Sequence, residues 1–493
     1  MMSVLTGAAR FAVLGLYACA YYAQEFRPKI PRAWDDAEVE RFETPLAVRE
    51  RSPRYMSAKD YYALRVRPVY RSYPVYAPGR EPAGYRQSLL NREPEIIFDP
   101  SKLRTKEDWI RAGKIVFESQ TVFLPARSQP TVDPLLPVSK EGVLPPFRPG
   151  GQYIIRKKGV IEIGFNACAD CHTRVMPDGS FFQGAQGVVA RPVSEAELQR
   201  IRNIDGATLA SRAEQAWVLF GAPWILSKEA FFQRFTRDEM VRHAAASRPG
   251  VAARQGTSGS HPVHVPSLVG IQDLKYLDAT GLVRHRSIAD LMRYAIINMG
   301  LDTTAFYGDF QPSPKPTVFT SEPGTRYSDE QLYAMALYLY SLRPPPNPNP
   351  VDEQARQGAR IFQQQGCASC HPAPLYTNNK LTPAKGFIVP EEMKRSGDVW
   401  DVSVGTDPTL ALTTRRGTGF YKVPSLRGVW YRNAFGHGGW VDTLEEWLDP
   451  ARLKPEFVPK NRYAPQGAVP GHEFGLKLAA GDRAALIAFL KTL

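Results

Sequence analysis

The sequence contains very little cysteine, and nearly all of it lies in two short motifs. Five cysteines occur among 493 residues. Four of them fall within residues 168–172 and 367–371, which leaves Cys19 alone near the N-terminus. No cysteines therefore remain for a disulfide framework of the kind that stabilises small secreted domains.

Long apolar runs and clusters of basic residues are missing as well. The apolar run at residues 11–20 is much shorter than the ~20 residues that a membrane-spanning helix requires, so we expect no transmembrane anchor. The formal net charge is +13, but the basic residues are scattered and no nucleic-acid-binding motif accompanies them, so we expect no nucleic-acid partner. The charge is compatible with docking to an acidic electron-transfer protein or an anionic membrane, and equally with simple solvation.

Residues 1–23 have the pattern of an export signal, with a weakly basic start, an apolar stretch and a charged stretch following from Gln24. Residues 16–19 are similar to a lipoprotein cleavage box, which would place a lipid anchor on Cys19. The alternative is ordinary cleavage after Ala20 or Ala23. Either route predicts a periplasmic or extracellular protein, with membrane attachment in the first case.

Both cysteine motifs read C-x-x-C-H, which is the attachment signal of c-type haem. Two thiols one helical turn apart form thioethers to the haem vinyl groups, and the adjacent histidine binds the iron from one face. Half a zinc site or a thioredoxin-like pair would be the alternatives, but both copies end in histidine and neither lies in a βαβ pattern. We therefore predict two covalently bound haem c groups, held by Cys168, Cys171, His172, Cys367, Cys370 and His371.

The two motifs belong to an internal duplication. Each half contains, in order, a helical stretch, the motif, a Val-Pro-Ser-Leu segment, a helix that starts at a hydroxyl residue and a closing amphipathic helix. These landmarks are at 109–117, 168–172, 265–268, 287–292 and 328–342 in the first half, and at 355–362, 367–371, 423–426, 443–448 and 480–493 in the second.

This order predicts a mainly α fold with two cytochrome c-like haem domains, connected by long loops because the chain has 43 prolines. Consecutive prolines end the preceding helix and stiffen the linker. About fifty residues are inserted before Cys168, and the insertion and the Tyr- and Pro-rich extension are expected to wrap the first domain. The predicted boundaries are 1–23 for the signal, 24–104 for the N-terminal extension, 105–343 for the first domain, 344–350 for the linker and 351–493 for the second domain.

The second half resembles the C-terminal haem domain of the bacterial di-haem cytochrome c peroxidases. The segments that carry this resemblance are 421–428, 435–439 and 443–446. Two further segments, 447–453 and 471–476, are most similar to the rubber oxygenase branch of that superfamily. The resemblance covers about residues 105–493 and is specific only in the second half.

The resemblance implies a particular set of ligands for the second haem. Peroxidases of this family place a Met ligand where this chain has Ala451. In the rubber oxygenase branch both axial ligands are histidines, which makes His472 the second ligand of the iron. His437 is the alternative ligand, or else a neighbour that contacts the haem propionates, and Met393 is a weaker alternative.

For the first haem, the resemblance implies an open coordination position on the face of the iron away from His172. The removable histidine of the peroxidases is missing from residues 178–188, and their acid–base glutamate is missing from residues 296–302. His261 or His264 could still close the site. Tyr276 occupies the place of the tryptophan that lies between the haems in the family, although packing is the ordinary role of a tyrosine.

Together these observations predict an exported di-haem oxidoreductase. The first haem is expected to bind dioxygen or peroxide and the second to handle electrons, and the resemblance implies a hydrophobic organic substrate. Two alternatives remain open. One is a peroxidase that reduces hydrogen peroxide with electrons from a small electron-transfer protein, and the other is a non-enzymatic electron carrier with both irons fully coordinated.

Overall fold

The structure is a computed structural model. It describes residues 25–126, 138–146, 151–176, 178–187, 195–225, 236–245, 250–253, 261–314, 322–461 and 464–493. The predicted export signal at 1–23 and the lipid anchor at Cys19 lie outside the described residues.

Each half is built on a pair of packed helices that come from its two ends. Lys106–Glu118 packs against Asp329–Ser341 in the first half, and Glu353–Gln364 packs against Ala480–Lys491 in the second. The starts of the first two helices are fixed by capping boxes, in which a side-chain hydroxyl and the side chain three residues later satisfy free backbone N–H groups. All four helices were predicted from the sequence, with ends within three residues of those observed.

A glycine lies at the crossing point of each helix pair. A Cβ atom added to Gly113 would lie 1.9 Å from the carbonyl oxygen of Ala334, and one added to Gly358 would lie 1.9 Å from the carbonyl oxygen of Ala485. Only glycine therefore allows the two backbones to approach this closely. The equivalent glycine in both halves supports the predicted duplication.

Other helices surround these pairs and are mostly short. The hydroxyl of Thr443 accepts a hydrogen bond from the Glu446 backbone N–H at the start of one helix, as expected, whereas Ser287 occupies the N-cap position of another without such a bond. The further α-helices are Asp36–Val39, Ala58–Ala63, Tyr85–Leu90, Cys168–Cys171, Glu195–Arg202, Gly206–Phe220, Arg237–Ala245, Ile288–Asn298, Glu391–Arg395, Thr409–Leu412 and Leu444–Trp447. Single 3-10 turns occur at Arg49–Arg51, Pro100–Lys102, Ile271–Asp273, Leu301–Thr304, Cys367–Ser369, Val429–Tyr431 and Pro450–Leu453.

The insertion before the first motif forms a sheet with the N-terminal extension, which the sequence did not predict. The antiparallel order of its four strands is Ser72–Pro74, Gln152–Lys157, Val160–Phe165 and Val122–Pro125. One face packs on a small separate core that includes Val75, Tyr153 and Ile161. The expectation of a mainly α fold is therefore met only in part, because this region is a sheet rather than a loop.

The remaining strands form two-stranded pairings. The antiparallel pairs are Pro53–Arg54 with Phe306–Tyr307, Thr173–Val175 with Phe181–Gln183, Val251–Ala252 with Val263–His264, Tyr276–Leu277 with Val283–Arg284 and Leu381–Pro383 with Phe420–Lys422. Arg65–Val66 pairs in parallel with Thr325–Arg326.

The N-terminal extension contributes aromatic side chains to the core of the first half. Trp34, Phe42 and Tyr61 are buried in the same hydrophobic cluster as the first helix pair. The extension also reaches the second half, where the Ala47 N–H donates to the Gly417 carbonyl oxygen at 2.9 Å. Within the described part of the chain, no helix has the length and apolar character needed to cross a membrane.

Candidate functional site

The second motif opens onto a cavity of about 570 Å³, a volume in the range of ordinary ligand and cofactor pockets. The thiols of Cys367 and Cys370 and the ring of His371 lie on one side of it, and His472 lies on its wall as well. Its apolar walls include Phe435, Leu444, Trp447, Leu448, Leu486 and Leu490.

The ring of His371 is oriented by the backbone. Its Nδ1 lies 3.0 Å from the carbonyl oxygen of Tyr376. Since a carbonyl only accepts, Nδ1 carries the proton and Nε2 keeps its lone pair. Burial also lowers the pKa of His371, which favours the neutral form that binds metals.

His472 faces His371 across the cavity. The two ring centroids are 6.4 Å apart and the ring planes are inclined by 60°. Two imidazoles bound to one metal ion at about 2.0–2.1 Å per metal–nitrogen bond have ring centroids ~6 Å apart, so the observed spacing fits a shared iron. Burial, with smaller contributions from His371 and Arg452, lowers the pKa of His472 to about 4, which again favours the neutral imidazole.

Two partly buried cations line the same cavity. Burial lowers the pKa of Lys422 to about 8 and also lowers that of Arg432, whose Nη2 donates to the Arg427 carbonyl oxygen at 2.8 Å. Among the described residues neither forms an ion pair, and the Nε of Arg432 has no hydrogen-bond partner. Cations partly removed from water are stabilised by anionic partners, and the two propionates of a haem would supply them. The thiols, imidazoles, cations and apolar walls together fit a haem c.

His437 and His264 lie side by side at this cavity. The ring of His437 stacks on Tyr421 with centroids 4.2 Å apart and contacts Trp440 edge-on at 4.4 Å. The Nδ1 of His264 lies 2.8 Å from the carbonyl oxygen of Gly436. His264, an alternative ligand for the first haem on sequence grounds, thus lines the second cavity.

Met393 and Tyr276 are placed elsewhere. Met393 is buried in a separate hydrophobic cluster with Val389 and Phe420, and it is not part of the cavity wall. Tyr276 belongs to that cluster too, and its hydroxyl donates to Asp398 at 3.0 Å. Tyr276 also lines a small chamber of about 60 Å³ between the two Val-Pro-Ser-Leu segments.

The first motif forms a single helical turn, Cys168–Cys171, whose start is fixed by a carboxylate. Asp170 accepts hydrogen bonds from the backbone N–H groups of Asn166 and Ala167 at 2.6 and 3.1 Å. The Nδ1 of His172 lies 3.1 Å from the Pro266 carbonyl oxygen. The ring of His172 is therefore oriented by a backbone carbonyl, as that of His371 is.

Two segments of the first half lack the removable histidine and the acid–base glutamate of the peroxidases, and their polar residues form other contacts. Gln183, in the glycine-rich stretch after the motif, bonds to both Glu118 and Tyr338. Asp302, the acid in segment 296–302, is fully buried with its carboxylate 3.5 Å from Arg415 and 3.7 Å from Arg416. Residue 188, at the end of the glycine-rich stretch, lies outside the described residues.

The sequence interpretation missed the cationic residues of the second cavity. Lys422 directly precedes the Val-Pro-Ser-Leu segment, and Arg432 follows it by six residues. Both look like ordinary surface cations in a basic protein, and only their place on the cavity wall distinguishes them. The one signal in the sequence that could have indicated them is a cation close to the Val-Pro-Ser-Leu segment of the second half.

Comparisons with known proteins give distant similarities only. No family model and no curated protein matches the chain. Among solved structures, the chain is similar to a hydrazine synthase of Kuenenia stuttgartiensis, with 14% identity, a TM-score of 0.30 and coverage of 62% of this chain and 96% of the other. A MauG-like protein associated with microbial copper homeostasis gives 16% identity, a TM-score of 0.31 and coverage of 62% and 90%.

A third similar structure is the diheme peroxidase BthA from Burkholderia thailandensis, with 18% identity, a TM-score of 0.28 and coverage of 81% of this chain and 90% of that one. These scores are too low to assign a fold or an activity to the chain. The interpretation of the site therefore depends on the geometry of its own residues.

Proposed function

We propose that the protein is an exported di-haem c-type oxidoreductase in which the two haems have different roles. The haem held by His371 is the electron-handling group, with His472 as its second axial ligand. The haem held by His172 is the reactive group and takes dioxygen or peroxide at its open position. A bound haem supplies one-electron redox chemistry and, where a coordination position is free, a binding place for these oxidants.

The observation that carries the proposal is the 6.4 Å spacing of the His371 and His472 rings inside the cavity of the second motif. Two neutral imidazoles saturate the axial positions of an iron, and a saturated iron transfers electrons without binding substrate. The backbone carbonyl at His371 Nδ1 fixes the ring in the binding orientation. Lys422 and Arg432 provide the charges that two propionates need.

Two further observations support the proposed role of the first haem, one on its coordination and one on its reaction. Several histidines are already engaged: His472, His437 and His264 line the second cavity, and His285 bonds through both ring nitrogens, to the Leu274 carbonyl oxygen and the Tyr340 hydroxyl. Asp302 is ion-paired with two arginines, so it is poorly placed to act as the acid–base group of a peroxidase. These contacts favour an oxygenase-like role over peroxide reduction.

The proposal extends to substrate and location. Resemblance to the rubber oxygenase branch favours a bulky hydrophobic substrate such as an alkene polymer. The signal-like residues 1–23 favour a periplasmic or extracellular location, and Cys19 is the place for a lipid anchor if one is added.

Electron paramagnetic resonance of the oxidised holoprotein at low temperature tests the unequal haems. We expect one low-spin signal from the second haem and one high-spin signal from the first. A pyridine haemochrome spectrum with two haems per chain checks attachment. Two low-spin signals, with no iron accessible to cyanide, would show that the protein is an electron carrier.

Turnover assays separate the two enzymatic alternatives. Oxygen uptake with polyisoprene is expected, and hydrogen peroxide reduction with a reduced small cytochrome as donor is expected to be slow. Fast peroxide reduction without oxygen uptake would instead identify a peroxidase.

A further inference from the structure

We propose that Arg452 is a positioning residue that holds His472 against the second haem and tunes the reduction potential of that haem. The inference rests on the proposed function, because it requires His472 to be the axial ligand. It assigns a role to a residue that does not itself line the haem cavity.

Arg452 is fully buried, and its guanidinium donates hydrogen bonds to backbone carbonyls around His472. Its Nη2 donates to the carbonyl oxygens of Gly471 at 2.9 Å and His472 at 2.8 Å, and its Nη1 donates to that of Val469. Its Nε donates to the Trp447 carbonyl oxygen at 2.7 Å. One guanidinium thus connects residues 469–472, which include His472, to the end of the helix Leu444–Trp447.

The imidazole of His472 is not oriented in the way that the other two ligand histidines are. His172 and His371 each place Nδ1 against a backbone carbonyl. The Nδ1 of His472 is buried and has no hydrogen-bond partner among the described residues. Metal-bound histidines normally gain their orientation from such a bond, so His472 must be positioned through its backbone.

That backbone is held in an unusual conformation. His472 has a φ of +48°, in the left-handed region that non-glycine residues rarely adopt. Its N–H donates to the Val404 carbonyl oxygen at 2.7 Å, and the preceding Gly471 leaves no room for a Cβ against the backbone of Thr406. A strained conformation persists only where its surroundings fix it, and Arg452 supplies the bonds on the carbonyl side.

Arg452 also acts on the ring through a tryptophan. Its guanidinium carbon lies 4.6 Å from the centroid of the Trp447 ring. The Trp447 ring in turn lies 5.5 Å from the ring of His472 and lines the haem cavity. The cation therefore fixes both the backbone that carries the imidazole and the aromatic wall against which the imidazole rests.

The charge of Arg452 is poorly compensated. Among the described residues no carboxylate forms an ion pair with it, and Glu473 acts on it only at longer range. Its guanidinium is a cation at neutral pH, as arginine is throughout proteins. A buried positive charge close to a haem stabilises the reduced, less positive iron, which raises the reduction potential.

Two substitutions separate positioning from charge. Arg452→Lys keeps the charge but loses the planar fork that bonds several carbonyls at once, and Arg452→Gln loses both. The matched control is Arg415→Lys, because Arg415 is also fully buried and donates to three backbone carbonyls, those of Val218, Leu219 and Gly221, away from His472. His472→Ala provides the reference for complete loss of the ligand.

The variants are prepared as di-haem holoproteins. Spin state is read by electron paramagnetic resonance, ligand access by cyanide binding and potential by redox titration. We expect both Arg452 variants to acquire a high-spin fraction at the second haem. They should also bind cyanide there about 10–100-fold more tightly than the wild type, as expected when a group that orients a metal ligand is lost. Only Arg452→Gln should also lower the potential of its remaining low-spin population. Arg415→Lys should leave all three readouts at the second haem unchanged.

The outcomes separate this inference from the proposed function. If His472→Ala becomes high-spin while Arg452→Lys and Arg452→Gln keep the wild-type spectrum and potential, only the role of Arg452 is overturned. If His472→Ala itself leaves the second haem low-spin, the ligand assignment fails and the role of Arg452 fails with it. Unchanged signals of the first haem verify that each variant is folded.

Discussion

At the scale of single residues, the bonding of ring nitrogens decides what each histidine does. His172 and His371 each place Nδ1 against a backbone carbonyl, which orients the ring. His285 has both nitrogens bonded and is therefore a structural residue. His285 thus differs from His371 in the partner of its Nε2, the Tyr340 hydroxyl, and not in its Nδ1, which contacts a backbone carbonyl in both residues.

His264 provides a test of how buried neutral histidines respond to acid. Burial, helped by the nearby cations Arg432 and Lys422, lowers its pKa to about 4. Between pH 6.5 and about 4 the unfolded chain binds a proton at this position that the folded protein does not, so stability falls as the pH falls. At pH 4.5 this one group should cost about 2–3 kcal/mol relative to pH 7.

The measurement is urea unfolding of wild type and His264→Gln at pH 7 and at pH 4.5. The glutamine amide can still donate to Gly436, but it does not titrate, so the variant should lose less stability on acidification by about 2–3 kcal/mol. Between pH 7 and pH 8 the two proteins should show the same pH dependence, which serves as the control. Equal losses at pH 4.5 would show that His264 is not held neutral in the fold.

At the scale of elements, the two glycine crossings set the spacing of the helix pairs. Gly358→Ala would bring a methyl group to within 1.9 Å of the Ala485 carbonyl oxygen, so the helices must separate. We expect a loss of about 1–3 kcal/mol in the free energy of unfolding, as for other overpacked interiors. Thermal or urea unfolding of the purified holoprotein measures it.

A second glycine on the partner helix provides the control for this substitution. Nothing lies within 4 Å of the position that a Cβ on Gly481 would occupy. Gly481→Ala should therefore be neutral, or stabilising by about 0.5–1 kcal/mol through reduced backbone entropy in the unfolded chain. Similar effects at the two positions would contradict the close approach of the helices at Gly358.

The four helices of the two packed pairs were predictable from the sequence, and the sheet was not. Helix Lys106–Glu118 begins at a Thr-x-x-Asp capping box and has a regular apolar face, so local residues define it. The strand Gln152–Lys157 pairs with Ser72–Pro74, about eighty residues away in the extension. Pairing over such a separation depends on tertiary packing, which no short stretch of sequence encodes.

In the candidate site, the attachment residues were predictable from the sequence and the cations were not. The attachment residues and His371 follow from the motif spacing, whereas the ligand role of His472 was predicted from the resemblance alone and stays a prediction. Lys422 and Arg452 were not identified, because their roles depend on burial and on backbone carbonyls contributed by distant turns. A cation is unremarkable in sequence until the structure shows that it lies away from water.

At the scale of the whole molecule, the N-terminal extension joins the two halves. Glu43 of the extension forms a buried ion pair with Arg416 of the second half, and the hydroxyl of Tyr55 donates to the same carboxylate at 2.8 Å. The Thr44 hydroxyl donates to the Gly281 carbonyl oxygen of the first half at 2.7 Å. A segment that the resemblance hardly covers therefore contacts both halves of the chain.

The buried pair of Glu43 and Arg416 tests this connection. Arg416→Met leaves a carboxylate buried without its cation and should cost about 3–5 kcal/mol in the free energy of unfolding. Glu43→Gln should cost less, because Asp302 still lies 3.7 Å from Arg416. The double variant should be more stable than the sum of the single losses predicts, since residues in contact are not additive.

Urea unfolding of the four proteins in this cycle gives the coupling energy, and the exposed pair of Arg356 and Glu353 provides the comparison. A cycle on that pair should give a coupling of only about 0–1 kcal/mol, because water screens it. If the extension joins the halves, Arg416→Met should also let protease cleave within residues 25–104 while both haems stay attached. Additive losses in the buried cycle, with an extension that stays protected, would show that the halves are held together by other contacts.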